Sequence, residues 1–532
     1  MTAGTTQAPV EDHGTGQLLV LHGDLTKLAC HAVVVPTSRA LQVTPPWRSL
    51  VPVDEARPAG SWLQVDMVAP DGWGEAERTL RAPDGDGRQV WLARTDAWSR
   101  DGAFVAGSLV QAVELAAVGL PTVGDRARPL VGVPLAGTGA GGLDQRRGEV
   151  VEAVVPALQE VAKRVGVDVA LVVYDEQDHA AVQSRRRGDG GPGTEVLTEE
   201  QISRADDLGE LAAKGHLALF MGAGVSIAAG LPSWEGLLHE MAAKAGLQDL
   251  RLDRLPAPDA AQVLHDEMGH EFVDYIRDRF TLQRCAAAHM LLAGLRTDTA
   301  VTTNYDNGFE IASEVVLRPA GRDLRVLPRQ HAHAGDPWLL KMHGDVADAK
   351  SVVLTEEPYL DYANGRSPLI GMVQSLLMTR HMLFVGFSLI DDNFARLAHE
   401  VRRLGALGPG VQKIGTVLAL HEDSARARLW EKDLDQVCFG PEDDDEARVS
   451  DLVAARKLEI FLDRVGWRAR RVCGGSESYL LDERYAAVDR PDSEVELRER
   501  LRELVAGAGP EIRATPAWGQ VRRAVTALGG EA

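Results

Sequence analysis

Four short polar clusters each close an apolar run, and together they could handle a nucleotide. Leu217–Ser226 reads LALFMGAGVS, so an apolar strand leads straight into Gly222-Ala223-Gly224-Val225-Ser226. Glycines let a backbone approach a pyrophosphate closely, and a following helix N-terminus offers unpaired N–H donors at the positive end of its dipole. Ala300–Asp306 (AVTTNYD) carries Thr303, Asn304 and Asp306 onto one loop. Trp338–Asp345 (WLLKMHGD) ends in His343-Gly344-Asp345, and Met382–Asp391 (MLFVGFSLID) closes its apolar run at Gly386-Phe387-Ser388. An amide and a carboxylate can orient a sugar or a water, and an imidazole titrating near neutrality can take a proton from either. Singly, each piece has a bland account. A Gly-x-Gly is an ordinary tight turn, and one histidine before a glycine is a structural residue. Four clusters at four strand ends favour chemistry on a bound nucleotide.

That chemistry needs a scaffold that brings strand ends together, and an open parallel sheet does so, with its ligand crevice outside the carboxyl ends. Apolar strand-like runs alternate with helical patterns along the chain, which predicts two Rossmann-like, three-layer α/β domains. The first spans 16–182, with runs at Leu18–Leu21, Ala32–Pro36, Val90–Ala93, Pro129–Pro134 and Ala170–Tyr174 and helical spacing over 108–117 and 147–165. Residues 183–199 are Arg-, Gly- and Pro-rich without apolar periodicity and read as a linker. The second domain spans 200–467, with a helical insert over about 235–296, and 468–532 form a helical extension. Pro441–Arg448 reads as a solvated acidic loop.

Composition narrows the function. Hydrophobic residues are 45% and charged residues 25% of 532, as in a globular soluble protein. With 57 Lys plus Arg against 78 Asp plus Glu, the net charge of -21 argues against bulk electrostatic binding of nucleic acid. Cys30, Cys285, Cys438 and Cys473 stand too far apart for a local zinc site, so no metal is expected. The uncharged stretch Gly215–Trp234 has the length of a membrane span, yet its glycines and Pro232 mark a strand, a loop and a helix start. The N-terminus has no basic region before an apolar stretch, so a cytoplasmic protein away from membranes is expected.

The order GAGxS, G-I/L-P, (T/Q)N-x-D, HG and GxS resembles the sirtuin family. Here it is Gly222–Ser226, Gly230-Leu231-Pro232, Thr303–Asp306, His343-Gly344 and Gly386–Ser388. The resemblance covers about residues 205–465 and implies NAD as substrate. It implies that Gly222, Ala223, Gly224 and Ser226, with Pro232, Thr303 and Gly386, surround the phosphates and ribose, and that Ser388 holds the adenosine side. Asn304 would orient the ribose or a water, His343 would be the general base, and Asp306 would support the site. Deacylating sirtuins carry a four-cysteine zinc ribbon, which this chain cannot make, and a Phe-Arg pair where Ser233-Trp234 stand. The chain is in this respect similar to the sirtuin-like NAD hydrolases of bacterial antiphage defence. Those release nicotinamide and leave ADP-ribose or a cyclic form. Two other classes stay open: a protein deacylase or ADP-ribosyltransferase, and a non-catalytic module binding NAD or ADP-ribose.

Gly23-Asp24-Leu25-Thr26-Lys27, the run to Pro36, and Pro134–Gly142 resemble two segments of a macro domain. The likeness implies that Asp24 meets an adenine amine and that Gly137, Thr138, Gly139, Gly141 and Gly142 hold phosphates. Pro36-Thr37-Ser38 stand where that family carries the asparagines of its hydrolases, so sensing is expected rather than catalysis. The expected signal is an ADP-ribose-like nucleotide made by a partner protein, acting on a homo-oligomer.

Overall fold

Nearly every apolar run becomes a strand buried on both faces, the pattern of a parallel sheet covered by helices. The computed structural model describes residues 15–531 except 60–61, 76, 84–86, 97–99, 121–125, 187–189, 349–350, 353–366, 388–412, 441–446 and 473–477. Most of the acidic loop and Ser388 therefore lie outside the described residues.

The first unit runs β1 (Leu18–His22), β2 (Ala32–Thr37), β3 (Gln42–Val43), β4 (Val53–Ala59), β5 (Trp62–Val65), β6 (Thr79–Ala82), β7 (Gln89–Arg94), α1 (Gly102–Val118), β8 (Leu130–Pro134), α2 (Arg147–Val165), β9 (Asp168–Val173) and α3 (Glu176–Arg185). Its main sheet has the order β1-β9-β8-β2-β7-β6, parallel except where β6 meets β7. Strands β3, β5 and β4 form a small antiparallel sheet.

The second unit follows as α4 (Glu199–Ala213), β10 (Leu217–Met221), α5 (Trp234–Lys244), α6 (Ala257–Met268), α7 (His270–Phe280), α8 (Ala287–Gly294), β11 (Thr299–Thr302), α9 (Gly308–Leu317), β12 (Arg325–Leu327), β13 (Trp338–Lys341), α10 (Ser367–Thr379), β14 (His381–Val385), β15 (Gly415–Ala419), α11 (Ser424–Trp430), β16 (Leu434–Cys438) and α12 (Ala447–Val472). Its sheet is parallel throughout, in the order β12-β13-β11-β10-β14-β15-β16. Helices α5 to α8 separate β10 from β11. Leu237, Met241, Leu264 and Phe272 of this insert share a core with Tyr305 and Val346, so the insert packs on the loops after β11 and β13. Three further helices, Asp492–Gly507, Pro510–Arg513 and Pro516–Ala527, close the chain. Among the described residues no helix is long and apolar enough to cross a membrane.

The stretch read as a linker is tied down rather than free. Residues Gln183–Arg185 finish α3, and Arg186 is buried against Asp463 of α12 with Nη1 3.0 Å from Oδ1. Arg464 donates to the carbonyls of Gly190 and Pro192 at 3.0 Å each. Arg186 thus answers a carboxylate on a helix 277 residues away, a partner that composition does not reveal. Helix α12 also runs past Trp467 and carries Arg456, whose Nε lies 2.7 Å from Asp168 Oδ2 of β9. Both pairs are almost fully buried, and removing one member of such a pair strands a charge at a cost of about 3–5 kcal/mol.

Candidate active site at the carboxyl edge of the second sheet

Because β13, β11, β10 and β14 are parallel neighbours, their four polar ends lie along one edge. The Gly222 N–H donates to Val385 O at 2.9 Å and the Gly224 N–H to Gly386 O at 3.0 Å. A Cβ on Gly222 would sit 2.4 Å from Gly386 O, so glycine is required for backbone to lie on backbone. These two donors are therefore spent inside the protein, and the surface left toward a ligand is the exposed face of Ala223 and Gly224. The loop continues into a seven-residue 3-10 turn, Ala223–Ala229, not the α-helix implied by a dipole-based phosphate site.

Ser226 is the centre of a buried node. Its hydroxyl donates to Asp306 Oδ2 at 2.8 Å and accepts from Asn304 Nδ2 at 3.2 Å. His289 of α8 stands on its other side, with Nε2 3.2 Å from Ser226 Oγ. The His289 Nδ1 accepts the Ala286 N–H at 3.1 Å, which leaves the ring proton on Nε2, aimed at Ser226. Burial lowers the His289 pKa and the Asp306 charge opposes this, with a net shift below the ordinary range, so the ring is neutral. One hydroxyl donor and two lone pairs are thus all used. Asn304 is further held by Gly222 O, 2.9 Å from Nδ2, and by its own N–H on Thr302 Oγ1 at 3.0 Å. Asp306 Oδ1 accepts the Gly308 N–H at 2.8 Å. The sequence reading missed His289, since an Ala-rich helix 63 residues from Ser226 carries no local signal.

A second unforeseen residue, Lys341, joins the loops after β11 and β13. It is fully buried, and its Nζ donates to Asp306 O at 2.6 Å and Tyr305 O at 3.1 Å. Two carboxylates meet the same ammonium, Glu310 at 2.7 Å and Asp345 at 3.1 Å. Burial would raise the Asp345 carboxyl, but Lys341 and the Ala347 N–H outweigh it and hold it below the usual range. At Glu310 burial prevails over Lys341 and the carboxyl is raised. His343 stands half-buried on the turn between Lys341 and Asp345. Gly344 after it has a φ of +105°, and a Cβ there would lie 2.4 Å from Ser351 O. Only glycine can turn the chain directly after that histidine.

Of the other residues singled out, Thr303 donates its N–H to Met221 O at 3.2 Å, and Pro232 is half-buried just before the Ser233 cap of α5. Beside the glycine loop lies a cavity of about 450 Å³ bounded by Gly224, Gly386, Phe387, His421, Asp423 and Trp430. His421 and Asp423 come from the loop after β15 and Trp430 from the helix that follows, a stretch in which the sequence offered no motif. Cys285, near the node, is a packing thiol: burial pushes it up to about 12.

The first unit has its own cavity, about 170 Å³, at the carboxyl ends of β2, β7 and β8. Gly137, Gly139 and Gly141 line it opposite Trp47, Trp62 and Asp96. Asp24 is not among its lining residues. Its carboxylate accepts the Thr26 N–H at 2.9 Å and Thr26 Oγ1 at 2.8 Å, capping the Leu25–Lys27 turn. Thr138 is buried with Oγ1 3.3 Å from Leu135 O, and Gly142 closes the loop on Gly139 O at 3.3 Å.

A sequence profile of the SIR2-like domain matches residues 298–436. Over this part the chain is similar to a SIR2-like domain. The SIR2-like span holds Asn304, Asp306, Lys341, His343 and Gly386, while Gly222, Ser226 and His289 precede it. The NAD(+) hydrolase ThsA of Enterococcus faecium is 31% identical over 199 residues, 36% of this chain and 40% of its own. The NAD(+) hydrolase ThsA of Bacillus cereus (strain MSX-D12) is 32% identical over 193 residues, 35% of this chain and 40% of its own. Defense-associated sirtuin 2 of Bacillus subtilis is 26% identical over 224 residues, 39% of this chain and 21% of its own. The chain thus spans two fifths of the length of those hydrolases.

Proposed function

We propose that this chain hydrolyses NAD at the nicotinamide–ribose bond and serves as a regulated, NAD-depleting effector of antiphage defence. The observation that carries the reading is the Ser226–Asn304–Asp306–His289 node, set beside the His343 turn and the 450 Å³ cavity. The similarity to proteins named NAD(+) hydrolase supports it. In the proposed reaction the C1′–N bond breaks and its electron pair returns to the pyridinium, giving neutral nicotinamide. Water adds to C1′ and gives up a proton toward His343, yielding ADP-ribose; a ribose hydroxyl in place of water yields a cyclic form. Asn304 would hold the ribose or the water, and the cavity beyond Gly224 and Gly386 would take the adenosine half.

Control is assigned to the first unit, read as macro-like. Its cavity between the Gly137–Gly141 loop and Trp47 and Trp62 would take an ADP-ribose-like nucleotide supplied by a partner protein, in a cytoplasmic homo-oligomer. A hundredfold activation needs about 2.7 kcal/mol of preferential binding to the active state. The test is incubation of the purified chain with NAD and no acylated peptide, with chromatography of the products. Nicotinamide with ADP-ribose or a cyclic form supports the reading. Nicotinamide formed only when an acyl-lysine peptide is present would transfer the chain to the deacylases.

A further inference from the structure

The catalytic node is not built by the SIR2-like unit alone. The loop that leaves β1 of the first unit reaches the segment just before α8 and grips it by two backbone bonds. The Cys285 N–H donates to Lys27 O at 2.8 Å, and the Ala29 N–H donates to Cys285 O at 2.9 Å. Residue 285 is fully buried, and residue 286 supplies the N–H that fixes the His289 ring. One residue further, Met290 packs on Gly23, where a Cβ would lie 2.9 Å from Sδ. The same loop is shaped by the Asp24 cap, and its Leu25–Lys27 turn packs against the Pro45–Ser49 turn that carries Trp47.

We propose that residues 23–29 of the first unit are a positioning element for the reaction, holding His289 against Ser226 through Cys285 and Met290. The proposal rests on the reading of this site as the place of NAD cleavage. It gives Asp24 a purpose different from ligand binding, since its carboxylate sets the turn that presents Lys27 O. It also gives the cavity at Trp47 a short mechanical route to the node: Pro45–Ser49, Leu25–Lys27, Cys285, His289, Ser226. An occupant that shifts the first turn need move the imidazole only slightly, because catalysis is steep in the placement of its groups.

The experiment uses the full chain and NAD, with nicotinamide release as the readout. Ala29→Pro removes one grip, and Gly23→Leu drives a side chain at Met290. Arg126→Ala breaks the Arg126–Glu459 pair elsewhere between the units and serves as the control. Ala29→Pro and Gly23→Leu should lower kcat by about tenfold to a hundredfold with little change in KM, the mark of a displaced reacting group. Adding Met290→Ala to Gly23→Leu should restore most of kcat, and Arg126→Ala should turn over as the parent does. Amide hydrogen exchange over 285–290 should quicken in the two damaging variants and recover in the double one. Unchanged kcat in both folded loop variants, or a double variant no better than Gly23→Leu, overturns the proposal. If the parent chain releases no nicotinamide, the NAD reading fails by itself, and the exchange pattern alone then decides whether the clamp exists.

Discussion

The two glycine-rich loops, 222–226 and 137–142, occupy equivalent places at the carboxyl edges of two parallel sheets and are surrounded by different chemistry. Around the first, a serine, an asparagine, an aspartate and a neutral histidine meet at one hydroxyl, with a buried lysine locking the neighbouring loops. Around the second, two tryptophans, threonines and one aspartate line a cavity less than half as large. In the function proposed above, the first surrounding moves protons and the second holds a flat, phosphorylated molecule. The two loops are alike, so that proposed division rests on the side chains opposite them.

The largest effect is expected where the two regions meet. Arg186→Ala leaves Asp463 buried without its partner and should cost about 3–5 kcal/mol in denaturant unfolding. A loss under 1 kcal/mol would mean that the units are not joined through this pair. Next come the groups proposed to be catalytic: Asn304→Ala and His343→Ala should each slow nicotinamide release at least ~100-fold in a folded protein. Equal losses from substitutions at the Gly137–Gly141 loop would erase the contrast between the regions.

Acid supplies a milder effect. His22, His179 and His289 are buried, and burial holds each below its ordinary pKa. Their unfolded forms bind a proton near pH 6.5 while the folded forms do not, so stability falls as pH drops through that value. Each contributes up to about 1.4 kcal/mol per pH unit. Asp178 works the other way: burial raises it to about 6, which favours the fold as pH falls from there toward 4. With His381 lowered by burial in the same way, and Glu310 raised like Asp178, four histidines against two carboxyls predict a net loss between pH 7 and 5, readable from thermal unfolding at each pH. A flat profile would count against neutral buried rings. The smallest effect is expected at Gly139, where a Cβ meets nothing within 4 Å. Gly139→Trp should fill the cavity and abolish activation by an added ADP-ribose-like nucleotide while basal NAD turnover stays within twofold. Gly141 is unsuited to this test, because a Cβ there would lie 2.7 Å from Gly137 Cα.

How much of this was legible in the sequence differs between the regions for a physical reason. Buried parallel strands are written as unbroken apolar runs, so LALFM, AVT and MLFV announce both the sheet and the places where polar residues leave it. The node then follows for Ser226, Asn304 and Asp306, which flank those runs. His289 and Lys341 stayed hidden because each acts through partners brought together by the fold: one sits in an alanine-rich helix, the other inside a strand. At Asp24 the motif has a local account beside the distant one. An aspartate two residues before a threonine caps its own turn. Arg186 was not legible from composition, since an arginine-rich stretch looks solvated until Asp463 is found beside it on α12.

The contrast between the two regions comes down to where NAD is proposed to be broken. The most direct measurement is time-resolved nicotinamide release from NAD by the full chain, run beside Asn304→Ala, with and without an ADP-ribose-like nucleotide. The account predicts many turnovers per chain in at least one condition and their loss in the variant. Absence of release in every condition, or release that survives in folded Asn304→Ala, would contradict it.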